Sequence, residues 1–351
     1  MITIDARWYR ASGIGTYIRN LVPRLIAQMP DERFALLGDP TDLNAYQSAR
    51  VEVVPFVTKM YSLRKIPIPR ETSLYFSPHY TIPLTYAGPM VVTVNDVLHL
   101  ARPEFAPGFA KRIYAKAMFT AVKYSASRVI CISEFSADEL RQRTDIKATV
   151  IHDGVGQEWF GEHPRQLERP YIIYVGNVKP HKNLKRLIAA YRVIATETLM
   201  RGRPPFDLVI VGKRDGFITG ERFDQTPGVT FTGYVSDREL MGWVQHAKAL
   251  VFPSLYEGFG LPPLEAMACG CPAVVSKIGP MPEICGDAAV YCDPLDVDSI
   301  AAAIKEAIRC TWRYRDRGIA RARMFSWDKC AAKTCAVFRE VMIEGGRAVH
   351  V

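Results

Sequence analysis

The chain has 351 residues, a formal net charge of +9, and 48% hydrophobic and 23% charged residues. That is enough for two globular domains of ordinary size, with no run near the roughly 20 apolar residues that span a bilayer. Met1–Arg7 carries charge too early for a signal peptide, and eight cysteines without a C-x-x-C pair read as reduced, mostly buried thiols of a cytoplasmic protein with no structural zinc.

Strand and helix patterns alternate from the start. Ile2–Ile4 predicts a strand, then a loop with Gly13, Ile14 and Gly15, then an apolar-periodic helix around Tyr17–Met29. Phe34–Leu37, Val51–Pro55, Leu74–Phe76, Met90–Val94 and Arg128–Ile132 predict further strands. Segment 109–125 differs: on a helical wheel Lys111, Arg112, Lys116 and Lys123 fall within about 140°, with Phe119 among them and Ile113, Ala117, Ala121 and Tyr124 on faces that can pack inward. A basic face with an aromatic predicts contact with anionic lipid; the plainer reading is a solvated basic helix. After a Pro- and charge-rich joint at His163–Pro170 the pattern restarts: Tyr171–Gly176, a helix from about Asn183, then Leu208–Gly212, Val229–Phe231, Leu250–Phe252 and Cys271–Ser276 as strands. The arginine-rich 309–323 run reads as a solvated helix surface, and Trp327–Glu344 as a last helix. Two such series predict two doubly wound α/β domains, which bind ligands outside the carboxyl ends of their strands.

Residues 257–265, Glu-Gly-Phe-Gly-Leu-Pro-Pro-Leu-Glu, carry the most chemistry. Glu257 and Glu265 bracket a glycine-rich bend, and the prolines start a helix over Leu264–Cys269 that Gly270 stops. Gly258 and Gly260 let backbone N–H groups approach an anion at the positive end of the helix dipole. A helical carboxylate can accept two hydrogen bonds from a ribose diol, and the carboxylate before the loop lies on the other side of the phosphate. A ligand with hydroxyls at both ends and phosphate between them is a nucleotide sugar. A second loop, Val175–Asn183, leaves a strand end and opens a helix; Lys182 can reach a pyrophosphate there as a point charge.

This Glu-x7-Glu block, with its Leu250–Ser254 and Gly279–Ile284 flanks, resembles the donor site of the retaining, GT-B-fold glycosyltransferases of family four. The likeness runs from Gly13-Ile14-Gly15 to Phe325-Ser326-Trp327. It implies an α/β GT-B fold: an acceptor-binding domain over 1–168, a nucleotide-sugar-binding domain over 169–326, the two facing a cleft, and a C-terminal helix over 327–351 crossing back to the first domain. It gives Glu265 the ribose, Glu257 the sugar or the charge that develops as the anomeric bond loosens, and the amides of Phe259, Gly260 and Leu261 the sugar hydroxyls and phosphate. Lys182 stabilises the leaving diphosphate; the family's companion Arg is missing, and Lys179 stands in for it. The loops with Lys213 and Val235 hold the base, and Gly13–Gly15 lies near diphosphate and acceptor. Where the family often has His-Asp, this chain has Asn95 and Asp96; Asn95 can hydrogen-bond but not titrate, Asp96 can orient the acceptor, and His99 is a possible surrogate. Ser77-Pro78-His79-Tyr80 resembles an acceptor-side segment.

Within the family, Gly176–Leu184 looks most like bacterial mannosyltransferases of surface-polysaccharide assembly. This implies a GDP-linked manno-configured donor, a lipid-linked oligosaccharide acceptor and work at the inner face of the cytoplasmic membrane. No Asp-x-Asp motif is present, so no metal or other cofactor is expected, and no nucleic-acid motif is visible. A UDP-sugar-dependent transferase, a nucleotide-sugar epimerase and a catalytically inactive nucleotide-binding or membrane-associated protein are the alternatives; Asn95 is the feature that favours the last.

Overall fold

The computed structural model describes residues 1–58, 62, 64–105, 108–200, 206–212 and 226–348. The chain divides into two compact units, Met1–Gly154 with Ser326–Val351, and Val155–Phe325.

The first unit is built on seven strands, β1 (Ile2–Asp5), β2 (Phe34–Gly38), β3 (Val51–Pro55), β4 (Leu74–Ser77), β5 (Met90–Val94), β6 (Arg128–Cys131) and β7 (Thr149–Val150). They pair in parallel in the order β3-β2-β1-β4-β5-β6-β7. β1, β2, β4 and β5 are buried along their whole length, as expected for parallel strands covered by helices on both faces. The connecting helices are α1 (Gly13–Gln28), α2 (Pro40–Leu43), α3 (Leu98–Ala101), α4 (Phe109–Ser125) and α5 (Glu134–Thr144). Strand order reverses between β1 and β4, so the loops leaving these strands flank a switch point.

The second unit repeats the plan with β8 (Tyr171–Val175), β9 (Asp207–Val211), β10 (Val229–Gly233), β11 (Leu250–Phe252), β12 (Ala273–Ser276) and β13 (Val290–Cys292), in the order β10-β9-β8-β11-β12-β13. Its helices are α6 (Leu184–Met200), α7 (Asp237–Gln245), α8 (Leu261–Ala268), α9 (Met281–Cys285), α10 (Val297–Arg309) and α11 (Thr311–Ala322). Here the order reverses between β8 and β11.

The last helix, α12 (Trp327–Ala348), belongs to the first unit, where it packs on α1. Trp327 meets Tyr17 edge-on with ring centroids 6.0 Å apart, and Phe338 meets Phe76 at 5.0 Å. Truncating a buried Phe of this kind costs about 3–5 kcal/mol, so the returning helix is part of the first unit's core. No helix of the described residues is long and apolar enough to cross a membrane.

The structure differs from the sequence expectations at four places. Residues 155–168 group with the second unit rather than the first, because Gln245 and His246 at the end of α7 hydrogen-bond the backbone of Gly161 and His163. α8 begins at Leu261, so both prolines lie within its first turn. Gly13–Gly15 is the first turn of α1 rather than a loop. A Cβ on Gly15 would lie 2.5 Å from the Tyr9 carbonyl oxygen, so this glycine lets the chain leaving β1 pack against the helix. The faces of α4 match only in part: Lys111, Lys116 and Lys123 are exposed and Ala121 packs against the core as expected, but three apolar residues are not where expected. Phe119 is buried and stacks on Tyr80 at 4.7 Å, while Ile113 is 52% and Tyr124 80% exposed. The inward stripe is Ala115, Met118, Phe119 and Val122, which share a core with Tyr75, Tyr80, Val92 and Leu140; the wheel does not encode those partners.

Candidate active site

The loops leaving β8 and β11 meet at the second unit's switch point. After β8 the chain makes a 3-10 turn over Pro180–Lys182 and ends it at Asn183 in the left-handed conformation, φ 62°, which Asn tolerates better than most residues. The buried Asn183 amide donates to the carbonyls of Pro253 (2.9 Å) and Pro294 (2.6 Å), and its oxygen accepts from Arg186 (3.1 Å). The Leu255 N–H donates to the His181 carbonyl at 2.7 Å. These bonds fasten the two loops together and fix the residues between them.

Lys182 and Glu257 are what that fastening brings into register. The Lys182 ammonium lies 2.7 and 2.8 Å from the two carboxylate oxygens of Glu257, and 5.2 Å from the centre of the Phe252 ring. Both side chains are mostly buried, 18% and 13% exposed, so this pair is less screened than a surface salt bridge. His181 beside it is held neutral: burial, then the charges of Lys182 and Lys179, pull its pKa down to about 3. Lys179 is exposed on the same loop and makes no ion pair among the described residues. This is a compact cationic loop with one carboxylate as its counter-charge.

The Gly258–Gly260 bend follows Glu257. Gly260 caps α8 at φ +110°, and a Cβ there would lie 2.4 Å from the Met281 methyl, so only glycine fits. Phe259 is buried edge-on against Phe325, 6.0 Å between centroids. Pro262 and Pro263 have no N–H, so the amides at this helix start come from Gly258–Leu261 rather than from a full first turn.

One turn further on, the Glu265 side chain makes no hydrogen bond among the described residues, while its backbone carbonyl accepts from the Cys269 N–H. Desolvation first, then the negative charges of Asp237 and Glu158, push its pKa up to about 8. Asp237 opens α7 behind a Ser236–Glu239 capping box, and Glu158 lies in the short turn Gln157–Phe160. The carboxyl is half-buried and stands where three acids share one neighbourhood, an arrangement that favours its neutral form. Val235 is half-buried just before that capping box, and Lys213 lies outside the described residues.

In the first unit the sequence-predicted residues are engaged in local structure. Asn95 donates through its amide to the Pro78 carbonyl at 3.0 Å, tying the loop after β5 to the loop after β4. Asp96 accepts from the Leu98 N–H at 2.9 Å and so starts α3. His79 is buried and held neutral near pH 7: burial, opposed by Asp5 and reinforced by Arg7 and His99, lowers its pKa to about 4. Gly13 has open space on its Cβ side.

Sequence reasoning missed two groups here. Asn183 is the hub of the second site, and its one sequence signal is an Asn at the end of a Pro-x-x-Asn turn. At the end of β1, Arg7 makes a two-pronged pair with Asp5, 2.8 and 2.6 Å, both almost fully buried, with Tyr75 donating to Asp5 at 3.1 Å. Nothing in Ile-Asp-Ala-Arg announces burial of that pair. Among the described residues no cluster of three or more His, Cys, Asp or Glu is placed to hold a metal ion.

The family model described as glycosyl transferases group 1 matches residues 156–325, the whole second unit but its first residue. The O-antigen chain mannosyltransferase B of Escherichia coli is 29% identical over 94% of this chain and 97% of its own length. Among solved structures, sucrose-phosphate synthase from Thermosynechococcus elongatus superposes with a TM-score of 0.75 over 98% of this chain and 99% of that one, at 20% identity. HepE from Anabaena, in complex with UDP and glucose, does so with a TM-score of 0.71 over 97% and 99%, at 15% identity. Residues 156–325 thus match the group 1 glycosyl transferases, and the chain's two parallel-sheet units have the α/β GT-B fold.

Proposed function

We propose that the protein is a retaining mannosyltransferase. It moves mannose, or another manno-configured sugar, from a GDP donor to a lipid-linked or oligosaccharide acceptor of a cell-surface polysaccharide. The observation that carries the donor half is the Lys182–Glu257 pair set beside a partnerless Glu265 at one switch point. An incoming diphosphate competes for Lys182, which turns from Glu257 to the leaving group and stabilises its charge as the anomeric bond opens. Glu257, released, faces the sugar and its growing positive charge. Glu265 takes the ribose hydroxyls, and Lys179 adds a second cation to the diphosphate.

The guanine base fits the acids around Glu265. Guanine offers an amine and a ring N–H on one edge, and Asp237 and Glu158 lie close enough to act electrostatically on Glu265. The mannosyl choice is supported by the O-antigen mannosyltransferase that aligns over nearly its full length. A UDP sugar is the second reading, favoured by the UDP and glucose bound in the similarly folded HepE. No divalent ion takes part in the reaction as proposed. The acceptor is taken by the first unit's loops, with Asp96 and Asn95 near it and Gly13–Gly15 by its phosphate. The exposed apolar stripe of α4, with Lys116 and Lys123 beside it, rests on an anionic membrane face.

The test is thermal unfolding with GDP-mannose, GDP, UDP-glucose and UDP, each beside Glu265→Ala. A ligand at a hundred times its dissociation constant adds about 2.7 kcal/mol of stability. Stabilisation by the guanosine series alone, lost in the variant, is expected. Stabilisation by the uridine series alone moves the assignment to the second reading, and none at all sinks the donor site. Turnover unchanged by a chelator, with the α-anomeric configuration kept in the product, completes it.

A further inference from the structure

α3, α4 and α5 pack side by side in the first unit and line an open cavity of about 530 Å³. It is lined by Leu100, Phe119, Thr120 and Tyr124, by the cations Lys116, Lys123 and Arg143, and by Thr144 and Asp145. Its volume falls in the range of small-ligand sites, and no residue of the donor site lines it.

We infer that this cavity binds the phosphate-bearing headgroup of an amphiphile, deepening the membrane contact proposed above and resting on it. The lining carries three cations and one carboxylate, and with Glu139 pairing Arg143 from outside it the mouth keeps one net positive charge and favours an anion. Asp145 is 88% exposed and pairs with Lys123 at 3.2 Å, a surface contact that a phosphate displaces cheaply. Arg143 is held by Glu139 at 3.1 Å, which fixes its direction, and Lys116 has no ion pair among the described residues. The α5 carboxyl end, with its partial negative charge, is offset by Arg141 and Arg143 in its last turn. The remaining lining is not that of a bare ion site. Leu100 and the buried Phe119 make an apolar floor, and Thr120 and the exposed Tyr124 bring hydroxyls to the rim. A phosphate joined to glycerol or sugar hydroxyls, with a hydrocarbon part, matches that order.

The position on α4 names the hydrocarbon's path. Ile113, Lys116, Thr120 and Tyr124 recur at spacings of three and four, so the cavity rim continues the exposed stripe of Phe109 and Ile113. A lipid phosphate can enter the cavity while its chains stay with the neighbouring bilayer along that stripe.

Binding to phosphatidylcholine vesicles containing phosphatidylglycerol is measured by co-sedimentation for the native chain, Lys116→Ala, Arg143→Ala, Thr120→Trp and Phe109→Ser. Glycerol 3-phosphate is the soluble competitor. Each lost cation is expected to weaken binding about fivefold, the factor for one basic residue at an anionic surface. Thr120→Trp, which fills the cavity and leaves the charge alone, is expected to weaken it by as much, and glycerol 3-phosphate to compete in the native chain only. If Thr120→Trp binds like the native chain while the charge variants weaken, the helix is a charged surface and the cavity inference is overturned. If only Phe109→Ser weakens binding, the membrane contact stands and the cavity again falls. If native protein binds no vesicle but binds glycerol 3-phosphate and loses it in Thr120→Trp, the cavity is a soluble phosphate site and the membrane reading falls. Binding of neither overturns both. Unchanged stabilisation of each variant by the donor nucleotide reports that the chain is folded.

Discussion

Binding of a nucleotide sugar at neutral pH should release close to one proton, and Glu265 should supply it. With its pKa pushed up to about 8, the free carboxyl is about 90% protonated at pH 7. A ribose diol donating two hydrogen bonds favours the ionised form and pulls the pKa back toward the ordinary carboxylate range. If the bound value falls to about 5, release is about 0.9 proton at pH 7 and about 0.1 at pH 9. Apparent affinity then rises about tenfold per pH unit between about pH 5 and 8 and is level on either side. The assay is titration calorimetry with GDP-mannose, whose diphosphate has no second ionisation near neutrality, in buffers of low and high ionisation enthalpy. The observed heat should differ between buffers by nearly one buffer ionisation at pH 7, and Glu265→Gln should remove the difference. Tight binding with equal heats in both buffers would refute the reasoning. The same shift fixes a stability trend. The folded pKa lies above the ordinary value of 4.5, so the folded state keeps a proton that the unfolded chain has lost. The contribution is whole below about pH 4.5, declines as pH rises, and is gone above about 8. Saturating nucleotide sugar should flatten the decline.

Two further outcomes follow from the fastened loops. Lys182→Ala strands the mostly buried Glu257 carboxylate, so Lys182→Ala and Glu257→Gln together should be less destabilising than their separate effects summed, by about 1–3 kcal/mol in urea unfolding, while each lowers turnover by about 10²–10³; strict additivity would show that the pair carries no coupling. Asn183→Gly keeps the left-handed turn but loses bonds to two buried carbonyls, and should cost about 1–3 kcal/mol, with Asn183→Ala costing about 1 kcal/mol more for the backbone; a glycine variant as stable as the native chain would refute the hub role.

Much of the fold was legible in the chain because parallel strands buried on both faces are short apolar runs, such as Met90–Val94 and Tyr171–Val175, and those runs recur at helix-length intervals. The candidate site was legible for a local reason. Glu257, the glycine bend and Glu265 lie within nine consecutive residues, and turn chemistry and a helix start are local properties. Long-range facts were not. The strands β7 and β13, the short partners at two sheet edges, are stabilised by their neighbours more than by their own sequence.

What the sequence determined alone, then, is the alternation that requires two doubly wound sheets and the Glu-x7-Glu bend to which the proposed donor chemistry is assigned. What only the tertiary structure decided is which charges meet and which are desolvated. Lys182 and Glu257 stand 75 positions apart, and Asp5 and Arg7 are neighbours whose burial comes from the loops around them. The Glu265 carboxyl pKa is pushed up to about 8 by burial first, then by the charges of Asp237 and Glu158. The outward face of α4 was settled the same way, by the core that its other face packs into. An amphipathic wheel records the spacing of side chains, and burial is a property of what packs against them.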